Sequence, residues 1–116
     1  MKRPHKELPL FILWSDFVHW MLDHTEKFPR HVRFTLSGRI DNYILDIYEK
    51  IIEARYTRNR HGILKEIDLN LEKLRLLVRI AHDRKYISHG SYEYASKIIY
   101  ESGSMLGGWI KANIKK

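Results

Sequence analysis

The 116-residue sequence contains no cysteine. This absence excludes disulfides, thiolate zinc sites and thiol nucleophiles, and it fits the reducing cytoplasm. Long apolar runs are also lacking, because the longest run, residues 8–14, contains Pro9 and is too short for a signal-peptide core or a membrane span. We therefore expect a soluble cytoplasmic protein without a membrane partner.

Proline and glycine are scarce, with three and six residues respectively, and they separate four long stretches with helical periodicity. The predicted helices span about 9–27, 31–56, 63–86 and 89–113, Ser88 is a predicted N-cap, and no strand pattern is present. Connections of a few residues between long helices favour antiparallel neighbours. The sequence thus predicts an all-α protein, an up-down-up-down four-helix bundle, with one domain over residues 1–116.

The third predicted helix carries two apolar stripes. One stripe, spaced as a core-facing surface requires, consists of Ile67, Leu71, Leu74, Val78 and Ala81. The other stripe lies on the opposite face, and the second helix carries a comparable extra line. A small soluble monomer would leave this additional apolar surface in water, which favours association with further copies of the chain. The predicted oligomer interface comprises Phe34, Leu45, Ile52, Leu69, Leu76 and Ile80.

Basic residues outnumber acidic ones by 21 to 14, a formal charge of +7, which favours polyanionic partners. In the predicted bundle, both termini and the turn between helices two and three meet at one end, which gathers ten basic residues against three acidic ones. Basic tails can also serve solubility alone. Tyr56 is the only aromatic residue predicted to lie close to Arg55, Arg58 and Arg60, and Trp109 is predicted to face the core. This end should therefore lack an aromatic stacking platform and bind phosphates electrostatically. The candidate nucleic-acid-binding residues there are Arg55, Arg58, Arg60, Lys65, Lys111, Lys115 and Lys116.

Two further candidates for nucleic-acid contact, Arg75 and Arg79, lie on a charged strip of the third helix. Their spacing from Glu72 and Asp83 also allows simple ion pairs on a solvated face or between subunits. Both interpretations remain open at this stage.

Motifs for catalysis or cofactor binding are lacking. The sequence has no nucleophile elbow, phosphate loop, dinucleotide fingerprint or HExxH motif. His19 and Asp23 have a metal-compatible spacing without a third ligand, and His82 is expected to pack or to cap a helix. We predict a non-enzymatic protein without a metal or cofactor.

Gly103 and Gly107 lie four residues apart in the fourth predicted helix, where each glycine costs about 1 kcal/mol relative to alanine. They indicate either a close helix approach, within the bundle or between subunits, or fraying towards the C-terminus.

Short segments occur in order along nearly the whole chain: EKFP (26–29), VRFTL (32–36), IEARY (52–56), LEKLR (71–75), AHD (81–83), YIS (86–88), YE (92–93) and MLGGW (105–109). In this ordered set the chain resembles the accessory variability determinant (Avd) proteins of bacterial diversity-generating retroelements. Ser104 departs from the pattern, because a basic residue is expected before MLGGW.

The resemblance implies a four-helix bundle that assembles as a ring-shaped homopentamer. It also implies binding to a reverse transcriptase and to nucleic acid, chiefly the template RNA with DNA as a further candidate, in support of mutagenic retrohoming. The competing interpretation comes from the related four-helix proteins encoded in rRNA intervening sequences. In that case the chain would be a structural interaction protein whose basic end binds an acidic protein partner.

Overall fold

A computed structural model of the protein describes residues 8–114, and this part of the chain is helical without any β-strand. It contains four α-helices: α1 (Pro9–Thr25), α2 (Gly38–Arg55), α3 (His61–Asp83) and α4 (His89–Ile114). The prediction of an all-α protein with four helices is confirmed. The second helix is preceded by two short helical segments that the periodicity did not predict.

The four helices enclose one apolar core, in which α1 and α3 each pack against both α2 and α4. All five residues of the predicted core stripe of α3 are buried. On α2, Ile44 is fully buried, whereas the neighbouring Tyr43 is half-buried and packs against the core. A partly exposed tyrosine keeps its polar hydroxyl in reach of water while its ring borders the core.

Local sequence signals explain where the helices begin and end. Pro9 occupies the first turn of α1, where its missing N–H costs nothing. The predicted N-cap of α4 is confirmed, because the Ser88 hydroxyl accepts a hydrogen bond from the Ser91 N–H at 3.1 Å. After α3, Lys85 has a positive φ of 66°, and the Tyr86 N–H donates to the Ala81 carbonyl at 2.8 Å. This is a Schellman ending with lysine where glycine is usual.

The chain enters α2 through a 3-10 turn at Arg30–Val32 and a π-helical turn at Arg33–Ser37. The Gly38 N–H donates to the Arg33 carbonyl five residues earlier, which is the wide hydrogen bond of a π-helix. A Cβ added at Gly38 would lie 2.6 Å from the Arg33 carbonyl oxygen. Glycine is therefore the residue that this geometry accepts at the start of α2.

Polar and aromatic contacts pair the helices along their lengths. Near the end of α1, the Thr25 hydroxyl donates to Asp41 at 2.6 Å, close to the start of α2. Near the start of α1, Phe11 stacks on Tyr48, farther along α2, with ring centroids 5.1 Å apart. The α2 and α3 helices are joined by an ion pair of 3.1 Å, Lys50–Glu66.

Candidate nucleic-acid and subunit interfaces

The turn after α2, the start of α3 and the end of α4 come together at one end of the molecule, called here the basic end. The Arg60 Nε–H donates to the Thr57 carbonyl at 3.0 Å. The Arg60 guanidinium carbon also lies 5.8 Å from the centre of the Trp109 ring, at cation–π distance. Leu8 and Pro9 border the same apolar groove as Trp109, so the start of α1 joins this end.

The side chains of the predicted basic residues at this end differ in exposure. Arg58, Lys65 and Lys111 are exposed, whereas Arg55 and Arg60 are half-buried. Lys115 and Lys116 lie outside the described residues. Within residues 8–114, this end has these five basic residues and two acidic ones, Glu53 and Glu66. The opposite end has five basic residues and three acidic ones. The charge contrast between the two ends of the described chain is therefore small, and most of the predicted contrast belongs to residues 1–7 and 115–116.

Trp109 packs against the core, as predicted, but its side chain is only half-buried. The Arg60 guanidinium lies beside its ring. Tyr56, at the end of α2, is 68% exposed and follows Arg55 in the chain. Two aromatic side chains therefore accompany the basic residues of this end: Tyr56, which the sequence placed there, and Trp109, whose contact with Arg60 the sequence did not predict. The signal that could have predicted the contact with Arg60 was topological, since short connections favour antiparallel neighbours, in which the end of one helix meets the start of the other.

The two other candidate arginines lie away from the basic end. Arg75 follows Arg60 by 15 residues, or about 22 Å along a helix. Its guanidinium forms an ion pair and hydrogen bond with Glu72, and this hydrogen bond raises the pKa of Arg75. The predicted pairing with Glu72 is confirmed. It uses part of the hydrogen-bonding capacity of the Arg75 guanidinium on a solvated face. Arg79 is exposed on the same helix.

The six residues of the predicted oligomer interface are all exposed in the single chain. Their exposed fractions are Phe34 89%, Leu45 38%, Ile52 37%, Leu69 54%, Leu76 61% and Ile80 45%. Phe34 lies on the π-helical turn. Exposure of this much aliphatic and aromatic surface is the condition that an interface between subunits requires.

The two stripes border different neighbours. Leu45 and Ile52 each lie four residues after a side chain that contacts α1, namely Asp41 and Tyr48. On an α-helix this spacing puts them on the same side, so their stripe borders α1. The α3 stripe instead continues from Glu66, which forms the ion pair to α2. The molecule thus has two separate apolar surfaces.

At the opposite end, two histidines join the end of α3 to the start of α4. His82 Nε2 lies 3.2 Å from His89 Nδ1, and the His82 ring stacks on Tyr92 with centroids 4.2 Å apart. The prediction that His82 packs is confirmed. Asp83 lies 3.8 Å from His82 Nδ1, too far to orient the ring by a hydrogen bond. Within residues 8–114, no three His, Asp or Glu side chains are grouped so as to hold a metal ion.

A groove between α3 and α4 has Gly103 in its wall, together with Asp68, Glu72, Arg75 and Tyr100. A Cβ added at Gly103 or Gly107 would meet no atom within 4 Å. The prediction of a close approach at these glycines within the bundle is therefore wrong. The α4 helix continues beyond both glycines to Ile114. An approach by another subunit stays a prediction.

A family model described as bAvd-like matches residues 12–113. The chain belongs to the bAvd-like family. The predicted resemblance to Avd proteins is thereby confirmed, and the family points to an accessory, non-enzymatic protein of diversity-generating retroelements. A comparison with curated proteins finds no match. None of the helices in the described part of this bAvd-like chain is long and apolar enough to cross a membrane.

Proposed function

We propose that the chain is a non-catalytic accessory subunit of a diversity-generating retroelement, which binds the reverse transcriptase and its template RNA in the cytoplasm and so supports mutagenic retrohoming. The observation that carries this proposal is the bAvd-like match over residues 12–113. The net charge of +7 and the exposed Arg58, Lys65 and Lys111 support an RNA partner, because cations that neutralise phosphates dominate nucleic-acid affinity.

Within each chain the helices run up, down, up and down. Support comes from contacts whose order reverses between neighbouring helices. Early α1 meets late α2 at Phe11 and Tyr48, whereas late α1 meets early α2 at Thr25 and Asp41. The same reversal occurs between α3 and α4. Arg60, immediately before α3, lies beside Trp109 near the end of α4, whereas His82 near the end of α3 lies beside His89 at the start of α4.

Several chains then assemble into a ring. A closed ring with head-to-tail contacts requires two different complementary surfaces on each subunit. The stripe of Leu45 and Ile52 beside α1 and the stripe of Leu69, Leu76 and Ile80 beside α2 supply two such surfaces. The number of five subunits is taken from the resemblance to Avd proteins and not from these surfaces.

The proposal is tested by purifying the chain with the reverse transcriptase and variable-repeat RNA encoded beside its gene. We expect a complex of all three, with RNA bound by the chain alone and by the chain with the polymerase. The competing function, binding of an acidic protein, predicts that nuclease treatment leaves the complex intact and that the chain alone binds no RNA. A genome without a neighbouring reverse transcriptase and repeated variable segment would also contradict the proposal.

A further inference from the structure

Tyr56 is an aromatic residue that the fold fixes in place without burying it. Its backbone N–H donates to the carbonyls of Ile52 and Glu53, at 3.3 and 3.2 Å, so the last turn of α2 holds its main chain. Its side chain is nevertheless 68% exposed. A tyrosine ring left in water at a helix end contributes little to the core, and an exposed aromatic residue within a basic surface is a typical base-stacking element.

The turn that follows Tyr56 is ordered by side-chain hydrogen bonds. The Thr57 hydroxyl donates to the Glu53 carbonyl at 2.6 Å, and the Arg60 Nε–H donates to the Thr57 carbonyl at 3.0 Å. Arg60 is further fixed by Trp109 at 5.8 Å. Arg58, which lies between Thr57 and Arg60 in the chain, remains exposed. A preformed turn of this kind loses less conformational freedom when a ligand binds.

We propose that Tyr56 is a stacking site for an unpaired nucleobase, and that the ligand of the basic end is single-stranded RNA, with Arg58 and Arg60 contacting the adjoining phosphates. This inference rests on the proposed function and specifies the form of nucleic acid that is bound. Stacking accepts every base, because each base has a π-face, so the site tolerates sequence. In duplex RNA the base faces are covered by their neighbours, and Tyr56 has nothing to stack on.

The chain supplies a matched control for this site. Tyr100 on α4 is also strongly exposed, at 77%, but it lies away from the basic end, in the wall of the groove with Asp68, Glu72 and Arg75. This control therefore also reports on the alternative contact surface at Arg75. The experiment measures the affinity of the unmodified chain, Tyr56→Ala, Tyr56→Phe and Tyr100→Ala for a labelled single-stranded RNA over a series of salt concentrations. Sedimentation and circular dichroism establish that all four proteins have the same mass and helicity.

We expect Tyr56→Ala to weaken binding roughly 5- to 150-fold, the effect of removing one base-stacking aromatic. The slope of affinity against salt should not change, because no phosphate contact is lost. Tyr56→Phe should bind as the unmodified chain does, because it keeps the ring, and so should Tyr100→Ala. With duplex RNA of the same sequence, the loss in Tyr56→Ala should disappear.

An abasic strand with the same number of phosphates isolates the base itself. The unmodified chain should bind the abasic strand more weakly than the complete strand, whereas Tyr56→Ala should bind both equally. If Tyr56→Ala and Tyr100→Ala have the same affinity for single-stranded RNA, or if Tyr56→Ala loses as much on duplex RNA, the inference fails and the proposed function stands. If the unmodified chain binds no RNA at low salt, the proposed RNA binding fails and the stacking site with it.

Discussion

Gly38→Ala should destabilise the protein, although glycine to alanine in a helix usually stabilises it by about 1 kcal/mol. The added Cβ would lie 2.6 Å from the Arg33 carbonyl oxygen, whereas ordinary contact begins at 3.4 Å. The atom that must move belongs to the backbone, so the π-helical turn has to open or α2 has to shift against the core. Overpacking of this kind costs about 1–3 kcal/mol.

Gly103→Ala is the matched control, with the opposite expected sign. A Cβ at Gly103 meets nothing within 4 Å in the single chain. Alanine there should therefore raise the free energy of unfolding by about 0.5–1 kcal/mol, through helix propensity and a less flexible unfolded chain. Both substitutions replace a hydrogen atom of glycine by a methyl group within a helical segment. They differ in which atoms the new methyl group meets.

Urea unfolding at a fixed protomer concentration measures both effects, with an unchanged m-value showing that the transition is still comparable. The thermal midpoint should move by about 4 °C per kcal/mol, downwards for Gly38→Ala and upwards for Gly103→Ala. A stabilised Gly38→Ala variant would show that the π-helical turn does not need glycine, which refutes the reasoning. A loss of oligomer mass in Gly103→Ala would instead assign that glycine to a subunit contact.

Three further predictions concern assembly, RNA and pH. Leu76→Glu should dissociate the oligomer at unchanged helicity, and an unchanged sedimentation mass would show that the α3 stripe is not an interface. Replacing Arg58, Arg60, Lys111 and Lys115 together with serine should flatten the salt dependence of RNA binding and weaken the binding, at unchanged oligomer mass. If this variant binds RNA normally while Arg75→Ser and Arg79→Ser abolish binding, the RNA site lies on the side of the bundle instead. Burial raises the pKa of Asp41 despite the hydrogen bond from Thr25, so its contribution to stability is complete below the ordinary carboxyl pKa of about 3.9 and declines as pH rises through the raised value. In urea titrations at several pH values, Asp41→Asn should abolish that decline and stabilise the protein at neutral pH. If the stability of the variant and of the unmodified chain changes with pH in parallel, this prediction is wrong.

The parts of the fold that the sequence predicted are those set by local rules. Apolar periodicity identified the buried face of α3, and a serine before a helical stretch identified the N-cap of α4. The π-helical turn could not be found in this way. Gly38 is explained by a carbonyl five residues earlier, a contact that exists only after the chain has taken that shape.

The candidate site was predictable as a set of charges but not as a surface. Short connections between helices already predicted which helix ends would meet, so Arg58, Arg60 and Lys111 could be assigned to one end. Trp109 was predicted to face the core and does pack against it, but the periodicity cannot show that its side chain is only half-buried. The contact between Arg60 and Trp109 depends on packing between segments distant in sequence.

Assembly and RNA affinity should be separable by the length of the RNA. Leu76 follows Arg60 by 16 residues, about 24 Å along α3, so Leu76→Glu cannot touch the basic end directly. In an oligomer, each subunit repeats Tyr56 and its arginines, and an RNA long enough to reach two subunits gains avidity that a short one lacks. We therefore expect Leu76→Glu to weaken binding of a long single strand about tenfold or more, while an oligonucleotide that covers one subunit binds with unchanged affinity. Equal weakening for both lengths would mean that neighbouring subunits build one shared binding site, and that a single basic end is incomplete.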